Sequence, residues 1–269
     1  MPLPGMPEIR VYIGFTGPAV GNVFTVGHPT LGQVGMVPLG ADTSWTQIPP
    51  DSIKSWSVRL GAGQGDAATL RYDPSTATVE FNDPYRHFDP ENLAGPYASA
   101  GRSQVEEMRR VKIVAVWAGI TYPLFYGYTD DFQPNYNGNF WTTTVMTATD
   151  ASKVMTATNR DAVALVGAGE LSGARITRVL DGISWPAGDR VVAAGNVTLQ
   201  GTTLEGNVLG ELQLVQDTEA GEFFFDQQGR AVFRNRDHIL TATRSKVSQV
   251  IFGDDPAGWE VSGEIPYSD

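Results

Sequence analysis

Ala77-Thr-Val-Glu-Phe-Asn-Asp-Pro-Tyr-Arg-His-Phe-Asp-Pro-Glu-Asn-Leu-Ala-Gly-Pro-Tyr97 is the stretch whose reading decides the fold. It begins as a strand, with Val79 and Phe81 alternating against Thr78 and Glu80. The strand stops at Asn82-Asp83-Pro84, because proline has no N–H for a ladder and Asn and Asp tolerate turn dihedrals. Further punctuation follows at Phe88-Asp89-Pro90 and Gly95-Pro96-Tyr97, so the strand runs into a long, stiff, aromatic loop. After a polar bridge come Val111-Lys-Ile-Val-Ala-Val-Trp117, Ala118-Gly119 and Ile120-Thr-Tyr-Pro-Leu-Phe-Tyr-Gly-Tyr-Thr-Asp130, a hairpin turning at Gly119.

Strand patterns extend toward the N-terminus. Residues 9–15 alternate, and 23–26, 32–37, 45–48, 53–60 and 68–72 are further short strands separated by Gly and Pro. Gly61-Ala-Gly-Gln-Gly65 is a flexible connection; no helix and no Lys-Ser/Thr pair follows to make a phosphate loop of it. In the bridge 103–110, Glu106 precedes Arg109 and Arg110 at the spacing of a short helix or an ion-paired loop. Asn137-Gly138 signals a second hairpin, leading into a Thr-rich strand over 140–149. Asp150 then suits the N-cap of a short helix around 152–155.

Polar residues cluster over 156–161, and the domain boundary is placed there: 1–156 and 157–269. In the second part Ser172 is an N-cap candidate, and Ile176, Val179, Leu180 and Ile183 share one helix face bounded by Gly182 and Pro186. Residues 191–199 are irregular or extended. Asn207 caps a second helix with Val208, Leu212 and Val215 on one face, ending by Gly221. Residues 223–226 and 231–234 pair across Gln228-Gly229, and 247–252 and 259–261 are late strands. The fold class is therefore mainly β with α+β: an N-terminal antiparallel β-barrel or sandwich domain, then a smaller α+β domain of two helices plus a hairpin.

At 269 residues the chain can bury sizeable cores, and 30 Gly with 17 Pro suit a turn-rich β architecture. It has no cysteine, which excludes disulfides, zinc–thiolate sites and cysteine nucleophiles. No apolar run approaches the ~18 residues of a membrane helix, and the first residues show no basic-then-apolar signal pattern. The net charge of −11 argues against gripping nucleic acid through its phosphates. An acidic surface is compatible with a conduit past which DNA slides.

Candidate chemistry is sparse. Ala162-Val-Ala-Leu-Val-Gly-Ala-Gly-Glu-Leu-Ser-Gly173, with Asp189 further on, imitates a dinucleotide fingerprint, but the third glycine is displaced to Gly173 and a second α/β repeat is missing. A loop entering a capped helix accounts for it. His28, His87 and His238 lie far apart, without a carboxylate at ligand spacing. Asp83, Asp89 and Glu91 are explained as turn-forming carboxylates rather than calcium ligands. No catalytic residue, cofactor or metal is expected, and no enzyme activity. Tyr85, Phe88, Tyr97, Tyr126 and Tyr128 crowd one region, either as core and turn packing or as an inter-subunit interface.

The order Asn82-Asp83, Phe88-Asp89-Pro90, Gly95-Pro96-Tyr97 and Tyr122-Pro-Leu-Phe-Tyr-Gly-Tyr128 resembles the minor tail proteins that build the tail-tip hub of long-tailed actinobacteriophages. The resemblance continues through Ser172-Gly-Ala-Arg-Ile176, Trp185-Pro186 and Thr218-Glu-Ala-Gly-Glu-Phe-Phe-Phe-Asp-Gln-Gln-Gly-Arg-Ala-Val-Phe-Arg234, and covers most of 53–236. It implies a virion protein of the tail tip, a homotrimeric hub around a central channel. Its partners would be other copies, the distal tail and tube proteins, the tape measure and the tip fibres, with genomic DNA only in transit. The resemblance also implies a chain continuing beyond residue 269 into another β-rich region. Alternatives are a distal-tail ring protein joining tube to hub, or a carbohydrate-binding tail-tip module. A hub predicts large apolar self-interfaces, a lectin a shallow aromatic groove, and a dehydrogenase a parallel sheet at 163–166.

Overall fold

The computed structural model describes residues 6–16, 44–61, 63–64, 71–99, 101–136, 142–160, 166–203, 206–242 and 246. The strands expected at 23–26, 32–37, 247–252 and 259–261, the Asn137-Gly138 turn and His28 lie outside them. In chain order the strands are β1 (Glu8–Thr16), β2 (Ser44–Gln47), β3 (Ile53–Arg59), β4 (Gly63–Gln64), β5 (Arg71–Tyr72), β6 (Thr76–Asn82), β7 (Ala98–Ser99), β8 (Arg102–Ser103), β9 (Arg110–Trp117), β10 (Ile120–Tyr136), β11 (Thr142–Thr149), β12 (Asn159–Arg160), β13 (Arg190–Val192), β14 (Gly206–Asn207), β15 (Glu222–Phe225) and β16 (Ala231–Arg234). The helices are α1 (Ser152–Ala157), α2 (Ser172–Gly182), α3 (Val208–Glu219) and α4 (His238–Thr241).

Seven strands make one antiparallel sheet in the order β2-β1-β9-β10-β11-β6-β3. Its two edge strands, β2 and β3, are consecutive in the chain, joined through the 3-10 turn Pro50–Ser52. Six Cα steps from Gln47 to Ile53 reach at most about 22 Å. Six inter-strand gaps laid flat would need about 29 Å. The sheet therefore curls until its edges approach, which encloses one face. That face is the alternating apolar set: Val11, Ile13 and Phe15 of β1, Val79 and Phe81 of β6, Val111 and Ile113 of β9, Met146 and Ala148 of β11. The β-rich, barrel-like expectation is met.

The turn between β9 and β10 has φ of 50° at Ala118 and 78° at Gly119. Positive φ at both central residues is the two-residue hairpin turn whose twist matches the strands it joins. β10 pairs with β9 over 120–128 and with β11 over 128–136, so it serves as two strands end to end. Register shifts at Pro123/Phe125 and Thr129/Asp131 supply the bend. Pro123, with no N–H to donate, falls beside the first shift.

A second core gathers α1, α2, α3 and the small sheet β13-β16-β15. Ile176, Val179 and Leu180 of α2 face Val208, Leu212 and Val215 of α3, with Phe223, Phe225 and Phe233 closing the layer. Tyr128 of β10 also belongs to this core, so the long strand contributes to both. Asn207 caps α3 as its sequence predicts, its side-chain oxygen accepting the Gly210 N–H at 2.6 Å. Ala220 follows in the left-handed conformation at φ 54°.

Three local expectations change, and a fourth is sharpened. Ser172 is the first residue of α2 rather than its cap, and its hydroxyl donates to the Glu219 carboxylate at 2.6 Å. Asp150 accepts the Ser152 N–H at 3.0 Å, but Ala151 occupies the cap position, and Asp150 also accepts the Ser75 N–H at 2.7 Å. The connection after Gly61 holds a short ladder, β4 with β5. Residues 190–192 form β13, parallel to β16, a pairing set by distant partners that local pattern does not reveal.

Candidate functional site

The loop 83–97 is built on two buried carboxylates. Asp83 accepts the N–H groups of His87 at 2.6 Å and Phe88 at 2.9 Å, and the Thr144 hydroxyl at 3.0 Å. This ties the loop to β11. Asp89 accepts the Tyr136 hydroxyl at 2.6 Å, the Glu91 N–H at 2.9 Å and the Arg86 guanidinium at 2.8 Å. Burial raises the Asp89 pKa, but the bonds from Tyr136, Glu91 and Arg86 outweigh it and hold the carboxyl below its ordinary value. Arg86 sits at φ 58°, a strained left-handed position maintained by this clamp. The two acids thus work on backbone donors, and among the described residues no group of three or more His, Asp or Glu is arranged to hold a metal ion.

The five aromatic candidates separate. Phe88 is buried and stacks on Phe81 at 4.1 Å. Tyr97 stacks on Phe15 at 4.2 Å and lies 5.2 Å from Phe88. Tyr128 is interior, in the second core, and burial pushes its hydroxyl up to about 12. Tyr126 is half-buried, edge-on to Trp45 at 5.8 Å. Only Tyr85 of the five stands out, at 75% exposure. The stacked rings pack into the core of the seven-stranded sheet, which is why an aromatic-rich loop carries few outward rings.

The glycine-rich segment before α2 does not cradle a phosphate. Val166 makes an isolated antiparallel bridge to Thr202, and 163–165 lie outside the described residues. Gly167 and Gly169 both adopt φ 81°, forming a turn in which the Gly169 N–H donates to the Leu199 carbonyl at 2.8 Å. A pyrophosphate needs the first N–H groups of the following helix. Here the Ser172 N–H goes to the Val197 carbonyl and the Gly173 N–H to the Ala194 carbonyl, both at 3.0 Å. A Cβ on Gly173 would overlap the carbonyl oxygen of Ala193. Gly173 is required for helix-to-chain contact, and Gly173→Ala is expected to lower stability by about 1–3 kcal/mol. Chemical denaturation of the pure variant measures this; an unchanged midpoint would refute the packing role.

Comparison with known proteins gives distant likeness only. No protein-family model matches the chain, and no curated protein sequence matches it. Among solved structures, the fold is similar to the 43 kDa tail protein of prophage MuSo2 from Shewanella oneidensis, with TM-score 0.46 and 13% identity over 85% of this chain and 54% of that one. It is also similar to the tail protein from Neisseria meningitidis MC58, with TM-score 0.42 and 11% identity over 66% of this chain and 50% of that one. The chain spans about half the length of each.

Two surface features escaped the sequence reading. At the β9–β10 turn Trp117 is 53% and Ile120 56% exposed, with Tyr122 next to them on the same hairpin. On the outer face of the barrel, register places Tyr12, Lys112 and Tyr126 side by side across β1, β9 and β10. Tyr126 was one of the five aromatic candidates, but only the register puts it in one row with Tyr12 and Lys112. Among the described residues, no helix is long and apolar enough to cross a membrane.

Proposed function

We propose that this chain is a non-enzymatic structural subunit of a long-tailed bacteriophage tail, and within the tail a subunit of the tip hub, closing as a homotrimer around the channel. The distal tail and tube, the tape measure and the tip fibres are its proposed neighbours, with DNA passing in transit. The order of motifs over 53–236 supports the family reading. One structural observation carries the assembly role: apolar side chains are exposed on rigidly held backbone at two places. One is the β9–β10 turn with Trp117 and Ile120; the other is the acid-clamped loop with Tyr85 and Leu93. Pre-ordered apolar protrusions lower the ordering cost of association.

Copies in a closed ring meet head-to-tail, each burying a different face of its neighbour. Interfaces of this permanent kind bury on the order of 2,000 Å² or more and are rich in apolar and aromatic residues. We therefore expect the chain to sediment as a trimer at micromolar concentration. The variant Trp117→Ser/Ile120→Ser/Tyr85→Ser should shift it toward monomer with unchanged circular dichroism. A wild-type chain that stays monomeric at the highest soluble concentration, in the presence of its tail partners as well, would defeat the hub reading.

A further inference from the structure

Lys112 and Tyr126 of the outer-face row form the floor of an open cleft of about 440 Å³, bordered by the Gln227-Gln228 turn of the β15–β16 hairpin. Trp45, Arg110 and Asp189 line it as well. The volume falls within the roughly 300–1,000 Å³ typical of small-ligand sites. Lys112 is its notable group. Its ammonium lies 4.8 Å from the Tyr12 ring centre and 4.5 Å from that of Trp45. Among the described residues it has a salt bridge to no carboxylate. Desolvation pushes its pKa below the ordinary lysine value. A half-buried cation that faces rings, with no salt bridge among the described residues, is stabilised when an anion enters beside it.

The hairpin turn is held in place beside the cleft. A Cβ at Gly229 would overlap the Tyr126 ring, so this turn packs directly on the floor. Its φ of 81° is one that glycine adopts without strain. Asp226 accepts the N–H groups of Gln228 and Arg230, both at 2.9 Å, which fixes the turn from within. The adjacent Gln227 and Gln228 side chains are exposed and carry both amide donors and acceptors. The cleft thus combines aromatic rings, a cation and paired amide groups on a rigid frame.

We propose that this cleft binds an anionic saccharide, its carboxylate or phosphate on Lys112 and Arg110, its ring against Trp45 or Tyr126, and its hydroxyls on Gln227 and Gln228. Aromatic rings take the C–H face of a sugar and amides take its hydroxyls, whereas a bare anion site would have no use for the rings. An acidic protein segment would pair with Lys112 too, but the limited volume of the cleft and the two glutamines favour a compact hydroxylated ligand. The site is independent of the protruding tip, so its failure leaves the ring assembly standing.

Calorimetric titration of the full chain decides it. The probes are a glucuronate–N-acetylglucosamine disaccharide, glucose 6-phosphate, neutral diacetylchitobiose, inorganic phosphate and a glutamate-rich hexapeptide. Binding is expected for at least one of the two anionic sugars, and the stronger identifies the anion. Neutral sugar should bind about tenfold more weakly for want of the charged hydrogen bond, and inorganic phosphate about tenfold more weakly for want of the ring and hydroxyl contacts. Lys112→Met and Trp45→Leu should each weaken the anionic sugar about tenfold with unchanged circular dichroism, while Lys112→Arg retains binding. Equal binding of neutral sugar, equal binding of phosphate alone, preference for the peptide, or no binding of any probe would each overturn the proposal.

Discussion

Replacing Asp83 by alanine is expected to destabilise the protein by about 3–5 kcal/mol and to open residues 83–97 to proteases. Asp83 is almost wholly buried, and its carboxylate satisfies two backbone donors and a hydroxyl. Alanine leaves the His87 and Phe88 N–H groups without an acceptor in an interior that admits little water. Each such orphan costs about 1–3 kcal/mol, and bonds to a charged acceptor lie at the upper end. Phe88 follows its own N–H into the core, so the loosened loop also disturbs its stack on Phe81. Denaturant unfolding and limited proteolysis of the variant read both effects. A loss under about 1 kcal/mol with unchanged cleavage would mean that the aromatic stack, not the carboxylate, fixes the loop.

The second large effect belongs to Glu219, at the end of α3. Its carboxylate is fully buried and accepts the Ser172 hydroxyl at 2.6 Å, the Val197 N–H at 2.9 Å and the Asn196 N–H at 3.1 Å, with Arg236 at 3.6 Å. It thereby joins α3, the start of α2 and the segment before β14. Burial raises its pKa, but the bonds from Ser172, Asn196, Val197 and Arg236 together outweigh burial and hold it below the ordinary 4.5. The folded protein therefore binds this proton less readily than the unfolded chain. The stabilisation is complete above pH 4.5 and is lost as pH falls through the lowered folded value.

Glu219→Gln places an amide NH2 among donors and removes the charge, at about 2–4 kcal/mol near neutral pH. The difference between wild type and variant should shrink on acidification below pH 4.5. Asp89 has the same sign, whereas Asp150, raised by burial, has the opposite one. Comparing wild type with the single variant at each pH cancels both. A difference independent of pH from 7 to 3 would contradict the assignment of charge to Glu219.

Much of the fold was legible because local and tertiary demands agree. Val79 and Phe81 alternate and are buried, and the Ala118-Gly119 turn and the Asn207 cap stand where their chemistry places them. The edges of that legibility are physical. Ser172 has a capping side chain, but a buried acid 47 residues away takes its hydroxyl. β13 is three residues long and finds its parallel partner in β16, a long-range choice with no local signature. Aromatic density does not give direction: Phe88 and Tyr128 turn inward, while Tyr85 turns out. Lys112 was unreadable as a candidate because its setting comes from strands far apart in sequence.

Location in the particle tests the central claim most directly. Electron microscopy of assembled phage particles, with this chain carrying a small affinity tag and a gold label, places it. The tail-tip hub reading predicts label confined to the distal end of the tail, in three copies around its axis. Label along the tube, at the head junction, or absent from purified particles would contradict it.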